Sequence, residues 1–150
     1  MKLFSKLGFA SESGQALVEM SVVGSLLVLL FLGVTEFGKV VYSSIEVSNS
    51  AKAGAQYGAQ NGTTATDSTG IQNAAKAAAS DLSALTATSS FACVCSDGTS
   101  STCQNSDCSN SHIEESVTVN TTVTVTPLIR LPGLPASFTV TGKAVQKCLQ

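Results

Sequence analysis

The amino-terminal part of the chain contains a long apolar stretch. Positions 16–34 include only one charged residue, Glu19, and positions 20–35 include none. A helix needs about 20 apolar residues to cross the core of a bilayer. This stretch is therefore long enough to span a membrane, and Lys2 and Lys6 before it favour a cytoplasmic amino terminus with the rest of the chain exported.

The helical pattern continues past the apolar stretch. Because no proline occurs before Pro127, one helix is predicted from about residue 15 to residue 59, which at 1.5 Å per residue is roughly 65 Å. Its glycines have two interpretations, close approach of another helix or simple tolerance in a membrane helix. The predicted apolar face of the second half is Phe37, Val40, Val41, Ile45, Val47 and Ala51, and the glycines are Gly24, Gly33, Gly38, Gly54 and Gly58.

A short helix is predicted after the long one. Residues 61–70 are rich in turn-forming residues, which indicates a polar loop. Residues 71–85 then follow a helical period and have a Ser or Thr available as the amino-terminal cap. The predicted apolar stripe of this helix is Ile71, Ala75, Ala78, Leu82 and Leu85.

The carboxy-terminal part predicts a small antiparallel sheet. Val and polar residues, mostly Thr, alternate through 116–126, a pattern typical of a half-buried strand. A second strand is predicted at 137–147 and a shorter one at 91–95. The three prolines of 127–135 exclude a central strand there and predict irregular structure. The predicted fold class is α+β, with a long membrane-anchoring helix and a small sheet-containing head.

Composition and charge narrow the function. Charged residues make up 12% of the chain, and eight basic against ten acidic residues give a net charge of −2. Without a basic run, binding to nucleic acid is disfavoured. One His and no Trp leave few side chains for acid-base chemistry, and no phosphate-binding glycine loop occurs. We therefore predict neither a catalytic site nor a cofactor. His112 with the neighbouring Glu114 and Glu115 is best interpreted as a group of solvated loop residues.

Five cysteines lie outside the apolar stretch. Four of them fall within sixteen residues of a polar connection, which favours a loop held by disulfides in an exported protein. A zinc site that includes His112 is the rival, but the cysteine spacing matches structural zinc poorly. The fifth makes the count odd, so it either pairs with one of the four or cross-links to another subunit. The cysteines are Cys93, Cys95, Cys103, Cys108 and Cys148.

The residues where the apolar stretch begins carry a family resemblance. The segment 14–19 reads Gly-Gln-Ala-Leu-Val-Glu, with Gly14 five residues before Glu19. This resembles the prepilin-peptidase site of type IV pilin-like proteins, and more closely the TadE/TadG-like family of tight-adherence (Flp) pilus systems. The resemblance continues at 36–38, Tyr42 and 51–55, and again in a carboxy-terminal block at 123–134.

The resemblance implies a processed, assembled protein. A prepilin peptidase would cut after Gly14 and leave Gln15 as the new amino terminus. Glu19 would pair with the α-amine of Gln15 on a neighbouring subunit and set the register of assembly. The implied parts are a leader at 1–14, a membrane and stalk helix at 15–60, and an exported pilin-like head at 61–150 with a Cys-rich loop at 93–112.

The implied partners and location follow from the same family. They are a prepilin peptidase, other pilin-like subunits in a homo- or hetero-oligomer, an assembly platform and inner-membrane lipid. The expected location is the bacterial inner membrane, as a single-pass protein with an exported head, or a pilus outside the cell. Two other classes stay open: an uncleaved envelope protein with a binding head, and an exported Cys-rich metal or redox domain. An ordinary signal peptide fits less well, because its apolar core is shorter.

Overall fold

The computed structural model describes residues 11–129 and 135–148, with side chains from residue 14 onward. The predicted leader up to residue 10 and most of the proline-rich segment, residues 130–134, lie outside the described residues. The chain divides into two units, residues 1–38 and 39–150, which are described separately. Helix α1 (Ser11–Gly58) crosses this division.

The part of α1 that belongs to the second unit buries small side chains. The residues that lose their solvent exposure recur every three or four positions, as one face of a helix requires. Phe37, Val41 and Ile45, which the apolar pattern placed on this face, are 71%, 40% and 55% exposed, so that part of the prediction is wrong. The buried residues of the face are Ser43, Val47, Ser50, Ala51, Gly54, Ala55 and Gly58.

Two short helices follow, α2 (Gly62–Thr66) and α3 (Ser68–Ala77). The predicted polar loop therefore contains a helical turn, which Asn61 caps through its side chain with Thr64 closing the capping box. Asp67 caps α3, its carboxylate accepting from the Gly70 amide at 2.9 Å. No Ser or Thr fills that place.

Helix α3 ends well before the predicted residue 85. Ala78 is exposed, whereas Ala79 and Leu85 are buried. After Ala77 the chain continues in tight turns, and the Asp81 carboxylate accepts a hydrogen bond of 2.9 Å from the Tyr42 hydroxyl. These turns let Ala79 and Leu85 reach the core, because a continued helix would direct them to different sides.

The head contains one sheet of four antiparallel strands in the order β2-β1-β3-β4. The strands are β1 (Thr86–Cys95), β2 (Ser100–Ser101), β3 (Ile113–Val125) and β4 (Phe138–Lys147), and a 3-10 turn lies at Asn105–Asp107. The α+β class and the two longer predicted strands are confirmed. Strand β1 begins five residues earlier than predicted, because its first half pairs with β3 from Thr86 onward.

The alternation in β3 decides which face of the sheet is buried. Val117, Val119, Thr121, Val123 and Val125 all lie on the covered face. One cluster gathers around Val47 and a second around Ile71, which is 1% exposed. The core of the head is therefore a thin layer between the sheet and the helices α1 and α3.

Glycines allow α1 to lie directly on its neighbours. A Cβ atom at Gly54 would come within 3.1 Å of the Ala75 Cβ, and one at Gly58 within 3.0 Å of both Ile71 and Val117. Gly54 and Gly58 thus permit close approach, which was one of the two interpretations of the glycines. The elements that approach are α3 and the sheet, not only another helix. At Gly24, Gly33 and Gly38, which lie in the first unit, a Cβ would meet nothing within 4 Å.

A buried hydrogen bond marks the closest approach of α1 to the sheet. The Thr121 hydroxyl donates to the Val47 carbonyl at 2.7 Å. Thr121 pairs with Gly142 across the strands, and a Cβ at Gly142 would lie 2.6 Å from that same carbonyl oxygen. Gly142 therefore provides the space in which the helix backbone contacts the sheet.

Candidate functional site

The predicted processing residues lie near the beginning of α1. Gly14, Gln15 and Glu19 are all exposed. The Gln15 side-chain amide donates to the Glu19 carboxylate at 3.0 Å, across one helical turn. The bond after Gly14 lies inside the helix, since α1 begins at Ser11.

The apolar segment that follows is not covered by any residue that the structure describes. The helical stretch 14–58 is long and apolar enough to cross a membrane by length and composition, with a mean hydropathy of 2.4 in its best window and none of that window buried. Its large apolar side chains are mostly exposed, for example 57% at Leu26, 72% at Phe31 and 75% at Met20. An exposed apolar surface of this kind is typical of contact with lipid or with other helices.

The few hydroxyls of this segment are satisfied within the helix. Ser21 and Ser25 donate to the carbonyls of Val18 and Val22, both at 2.8 Å, and Thr35 donates to that of Phe31. In hydrocarbon an unpaired hydroxyl costs several kcal/mol, so internal pairing removes most of the penalty. The segment is therefore suited to an apolar surrounding.

Two disulfides hold the Cys-rich loop at the far end of the sheet. Cys93 pairs with Cys103 and Cys95 with Cys108. The two strand residues are both buried on the covered side of β1, and each receives its partner from the loop. With these pairs formed, the four sulfur atoms are not thiolate ligands. No group of three or more His, Cys, Asp or Glu suited to a metal occurs in the described part of the chain.

Two aspartates order the same loop. The Asp107 carboxylate accepts from the Thr102 amide and hydroxyl, both at 2.7 Å, and from the Ser101 hydroxyl at 3.1 Å. These bonds, the Thr102 hydroxyl first, hold the pKa of Asp107 below its ordinary value. Asp97 accepts from the hydroxyl and amide of Thr99, which lowers its pKa in the same way.

Cys148 is the remaining cysteine and carries a free thiol. It follows β4, where its amide donates to the Glu115 carbonyl at 2.9 Å. The side chain packs beside the cluster that contains Ile71 and Val117. Burial, with a smaller contribution from the Glu115 carboxylate, raises the pKa of this thiol. Pairing with another subunit stays a prediction.

The polar residues at 112–115 are not gathered into a site. His112 is exposed, and Glu114 forms an ion pair of 2.6 Å with Lys147 on the neighbouring edge of the sheet. Glu114 thereby has a lowered pKa, mainly through that hydrogen bond. This arrangement is that of a surface ion pair, which contributes little to stability.

Sequence reasoning missed the residues that position α1 on the sheet. Besides Thr121, Ser50 is fully buried and donates to the Ala75 carbonyl at 2.7 Å. Tyr57 donates to the Asp67 carboxylate at 3.2 Å. The available signal was Thr121 itself, the one hydroxyl on an inward face otherwise made of valine.

Comparison with known families identifies the segment that carries these features. The family model described as TadE-like protein matches residues 14–56, from the predicted processing glycine into the last turns of α1. This segment is TadE-like. The resemblance to the TadE/TadG-like family is thereby confirmed over the helix, while its carboxy-terminal block lies outside the matched residues. No curated protein and no solved structure matches the chain.

Proposed function

We propose that this protein is a structural, pilin-like subunit of a tight-adherence type pilus or of a related secretion apparatus. The observation that carries the proposal is the TadE-like match, which begins at Gly14 and runs along the uncovered apolar helix. A subunit of this kind assembles through helix packing and needs no catalytic residues. In a minor pilin or pseudopilin, the exported head contributes to adhesion or to initiation of the pilus.

Processing after Gly14 is the first step of the proposal. The prepilin peptidase cuts between Gly14 and Gln15, and the mature chain begins within the present helix α1. Glycine lowers the cost of opening the helix at this bond, because it is about 1 kcal/mol less favourable than alanine in a helix interior. A Cβ at Gly14 would meet nothing within 4 Å, so packing does not require this glycine.

Glu19 gives assembly its register. In lipid an unpaired carboxylate costs several kcal/mol, and pairing with the free α-amine of Gln15 on a neighbouring subunit removes that cost. The intrahelical bond between the Gln15 side chain and Glu19 orients the carboxylate and leaves its second oxygen for the neighbour. Subunits that lack this pair would slide along one another.

The proposed location follows from the same features. The basic leader stays on the cytoplasmic side, the apolar helix lies in the inner membrane, and the head with its disulfides is exported, where disulfides persist. An assembly platform in that membrane then moves the subunit into the pilus.

Intact mass and amino-terminal sequencing of the protein from membranes of its native host test the processing step. The proposal expects a chain that begins at Gln15, and Gly14→Val is expected to abolish cleavage. Gly24→Val is the matched control, since Gly24 also has nothing within 4 Å of an added Cβ. A wild-type chain that still begins at Met1 would support the uncleaved envelope protein and contradict the proposal.

Glu19→Gln separates assembly from processing. The variant keeps the hydrogen bond within the helix but loses the charge, so we expect normal cleavage and at least about a tenfold loss from pilus fractions, the equivalent of 1.4 kcal/mol per contact. Ser21→Ala, two residues further along the helix, is the control. Equal recovery of both variants in the pilus would show that Glu19 has no role in assembly.

A further inference from the structure

The outer strand β4 has one row of backbone groups without a partner among the described residues. The Cys148 amide donates to the Glu115 carbonyl, which makes residues 115 and 148 a hydrogen-bonded pair. Such pairs alternate along antiparallel strands. The even-numbered residues of β4 therefore bond to β3, while the backbone groups of Thr139, Thr141, Lys143, Val145 and Lys147 point away from the sheet.

Strand β1 has a shorter row of the same kind at the opposite edge. The Cys95 amide donates to the Thr99 carbonyl on the β2 side. The backbone N–H and C=O groups of the odd-numbered residues of β1 therefore point away from β3, towards the edge of the sheet. Strand β2 pairs only with Cys93 and Val94. Residues 87–91 thus form an open segment, and no hydrogen bond from their outward backbone groups to any described residue is present. An unpaired edge of this kind is a template for another strand.

The direction of α1 limits which edges can meet. Within residues 39–58 the helix runs opposite to β3, because Lys39 donates to the Thr126 carbonyl while Gly58 lies beside Val117. Copies held in one membrane by the same helix all enter the head at residue 39. A two-fold pairing of β4 with β4 would place residues 39–58 of the two copies in opposite directions and would also bring Lys143 and Lys147 of both copies together, which is destabilising.

Pairing of β4 with β1 of the next copy has neither penalty. Both strands run antiparallel to β3, so they are parallel to each other and the helices of both copies keep one direction. The open segment of β1, residues 87–91, carries no charge that would oppose the lysines of β4. Each copy offers both edges, so one repeated head-to-tail contact uses both and continues from copy to copy unless its rotation closes a ring.

We infer that the head binds a second copy of this chain by strand addition, with β4 laid along the open edge of β1 of its neighbour. The neighbour's β2 blocks the far end of that edge, so the carboxy-terminal half of β4 lies opposite residues 87–91 and Val145 lies beside Thr88 or Ser90. Val145 is 57% exposed, an uncovered β-branched side chain at the centre of the contact. The inference rests on the proposed function only for the shared membrane anchor.

Disulfide cross-linking of the full chain in membranes of its host tests this contact. In a Cys148→Ser background, Val145→Cys is combined with Ser90→Cys or with Thr88→Cys and the membranes are oxidised. Within one copy β1 and β4 flank β3, about 9.6 Å apart, which exceeds the roughly 7 Å limit for a disulfide. Any bond between these positions therefore joins two copies, and we expect a ladder of dimers, trimers and larger species that reduction removes.

Thr139→Cys with Ser90→Cys is the matched control. Thr139 lies on the same edge and is also exposed, but it is about 20 Å along the strand from Val145. We expect at least about a tenfold weaker ladder from this pair, because a disulfide tolerates little displacement. Circular dichroism of each variant checks that the head is folded.

Three results would overturn the inference. They are no ladder from either Val145 pair in folded protein, an equal ladder from the Thr139 pair, or dimers from Val145→Cys alone, which indicate two-fold pairing of β4. Amino-terminal sequencing of the same samples reports processing separately. A ladder from an uncleaved chain would support strand addition and contradict the pilin proposal. A chain cleaved after Gly14 that gives no ladder would support the pilin proposal and contradict strand addition.

Discussion

The two parts of helix α1 differ in the size of their side chains and in how far the protein buries them. Residues 14–38 carry large apolar side chains that the chain leaves uncovered, such as Phe31 at 72% exposure. Residues 39–58 bury alanine, serine and glycine against the sheet, and Ala51 is fully buried. No described residue covers the first part, whereas the second part packs against the chain's own head.

This difference shows that hydrophobicity and burial are separate properties in this protein. The large apolar side chains of residues 14–38 are not among the core clusters of the described residues, and a thin layer of mostly small side chains between the helices and the sheet holds the head together. Similar substitutions should therefore have a larger effect on stability in the second part than in the first. The first three predictions below pair a change in the head with its counterpart in residues 14–38, and the fourth compares two places within the head.

Ile71→Ala should have the largest effect on the head. Ile71 is 1% exposed and fills the space between α1 and β3, so its truncation should lower the free energy of unfolding of the head by about 3 kcal/mol. Leu29→Ala removes a similar side chain that is 66% exposed and should leave that free energy unchanged. Urea denaturation of the full chain in detergent, followed by circular dichroism, measures both. A comparable loss of unfolding free energy in the two variants would show that residues 14–38 also contribute to the stability of the head.

Gly142→Ala should come next. The added Cβ would lie 2.6 Å from the Val47 carbonyl and 2.8 Å from the Thr121 hydroxyl, and backbone must move to relieve it. We expect a loss of about 2 kcal/mol. Gly33→Ala meets nothing within 4 Å and should keep or slightly raise helix stability. Thermal melts of the two variants in one detergent measure both effects. An unchanged melting temperature for Gly142→Ala would show that α1 does not approach the sheet so closely.

Thr121→Val should have a smaller effect. The substitution keeps the shape of the side chain but removes its 2.7 Å hydrogen bond to the Val47 carbonyl, at a cost of about 1 kcal/mol. The counterpart, Ser25→Ala, removes a hydroxyl bonded to its own helix and should cost less in detergent. The same urea titration compares them. A larger loss of unfolding free energy for Ser25→Ala than for Thr121→Val would contradict this prediction.

Acid should loosen the Cys-rich loop while the rest of the sheet stays protected. The pKa of Asp107 is lowered in the folded chain, so its stabilising effect is present above the ordinary carboxylate pKa near 4 and is lost as the pH falls through the folded value. The protection factor of the Thr102 amide, which is its exchange corrected for the intrinsic effect of pH, should therefore fall below about pH 4 by more than that of the Val119 amide. Asp107→Asn should remove most of this dependence, and an unchanged profile would assign it to another group.

The sequence predicted the elements better than their contacts. The valine alternation around Val119 and the uncharged run that includes Leu29 are strong periodic signals, and both elements are present. The buried face of residues 39–58 was missed because Ser43, Ser50 and Gly54 carry no apolar signal. Burial there comes from close approach, which depends on Gly142 at a distant position in the chain.

The cysteine pairing was also beyond the sequence, for an energetic reason. The observed pairs enclose separations of 10 and 13 residues. The alternative pairing of Cys93 with Cys108 and Cys95 with Cys103 has separations of 15 and 8 residues, and its total loop-closure cost differs from the observed one by less than about 0.1 kcal/mol. Entropy therefore does not select the pairs; the two strand cysteines lie on one side of β1 and take the loop cysteines in the order that the β1–β3 connection presents them. The short Ser and Thr half of β1 was missed because hydroxyl residues indicate strands only weakly.

The placement of Cys148 also protects these bonds. Disulfides exchange when a thiolate attacks them, and the rate follows the fraction of thiol that has lost its proton. Burial of Cys148 beside the core raises its pKa, so little thiolate is present at neutral pH. A head that carries one spare thiol thus exchanges its two cross-links more slowly, a kinetic durability that would suit the exported location proposed for it.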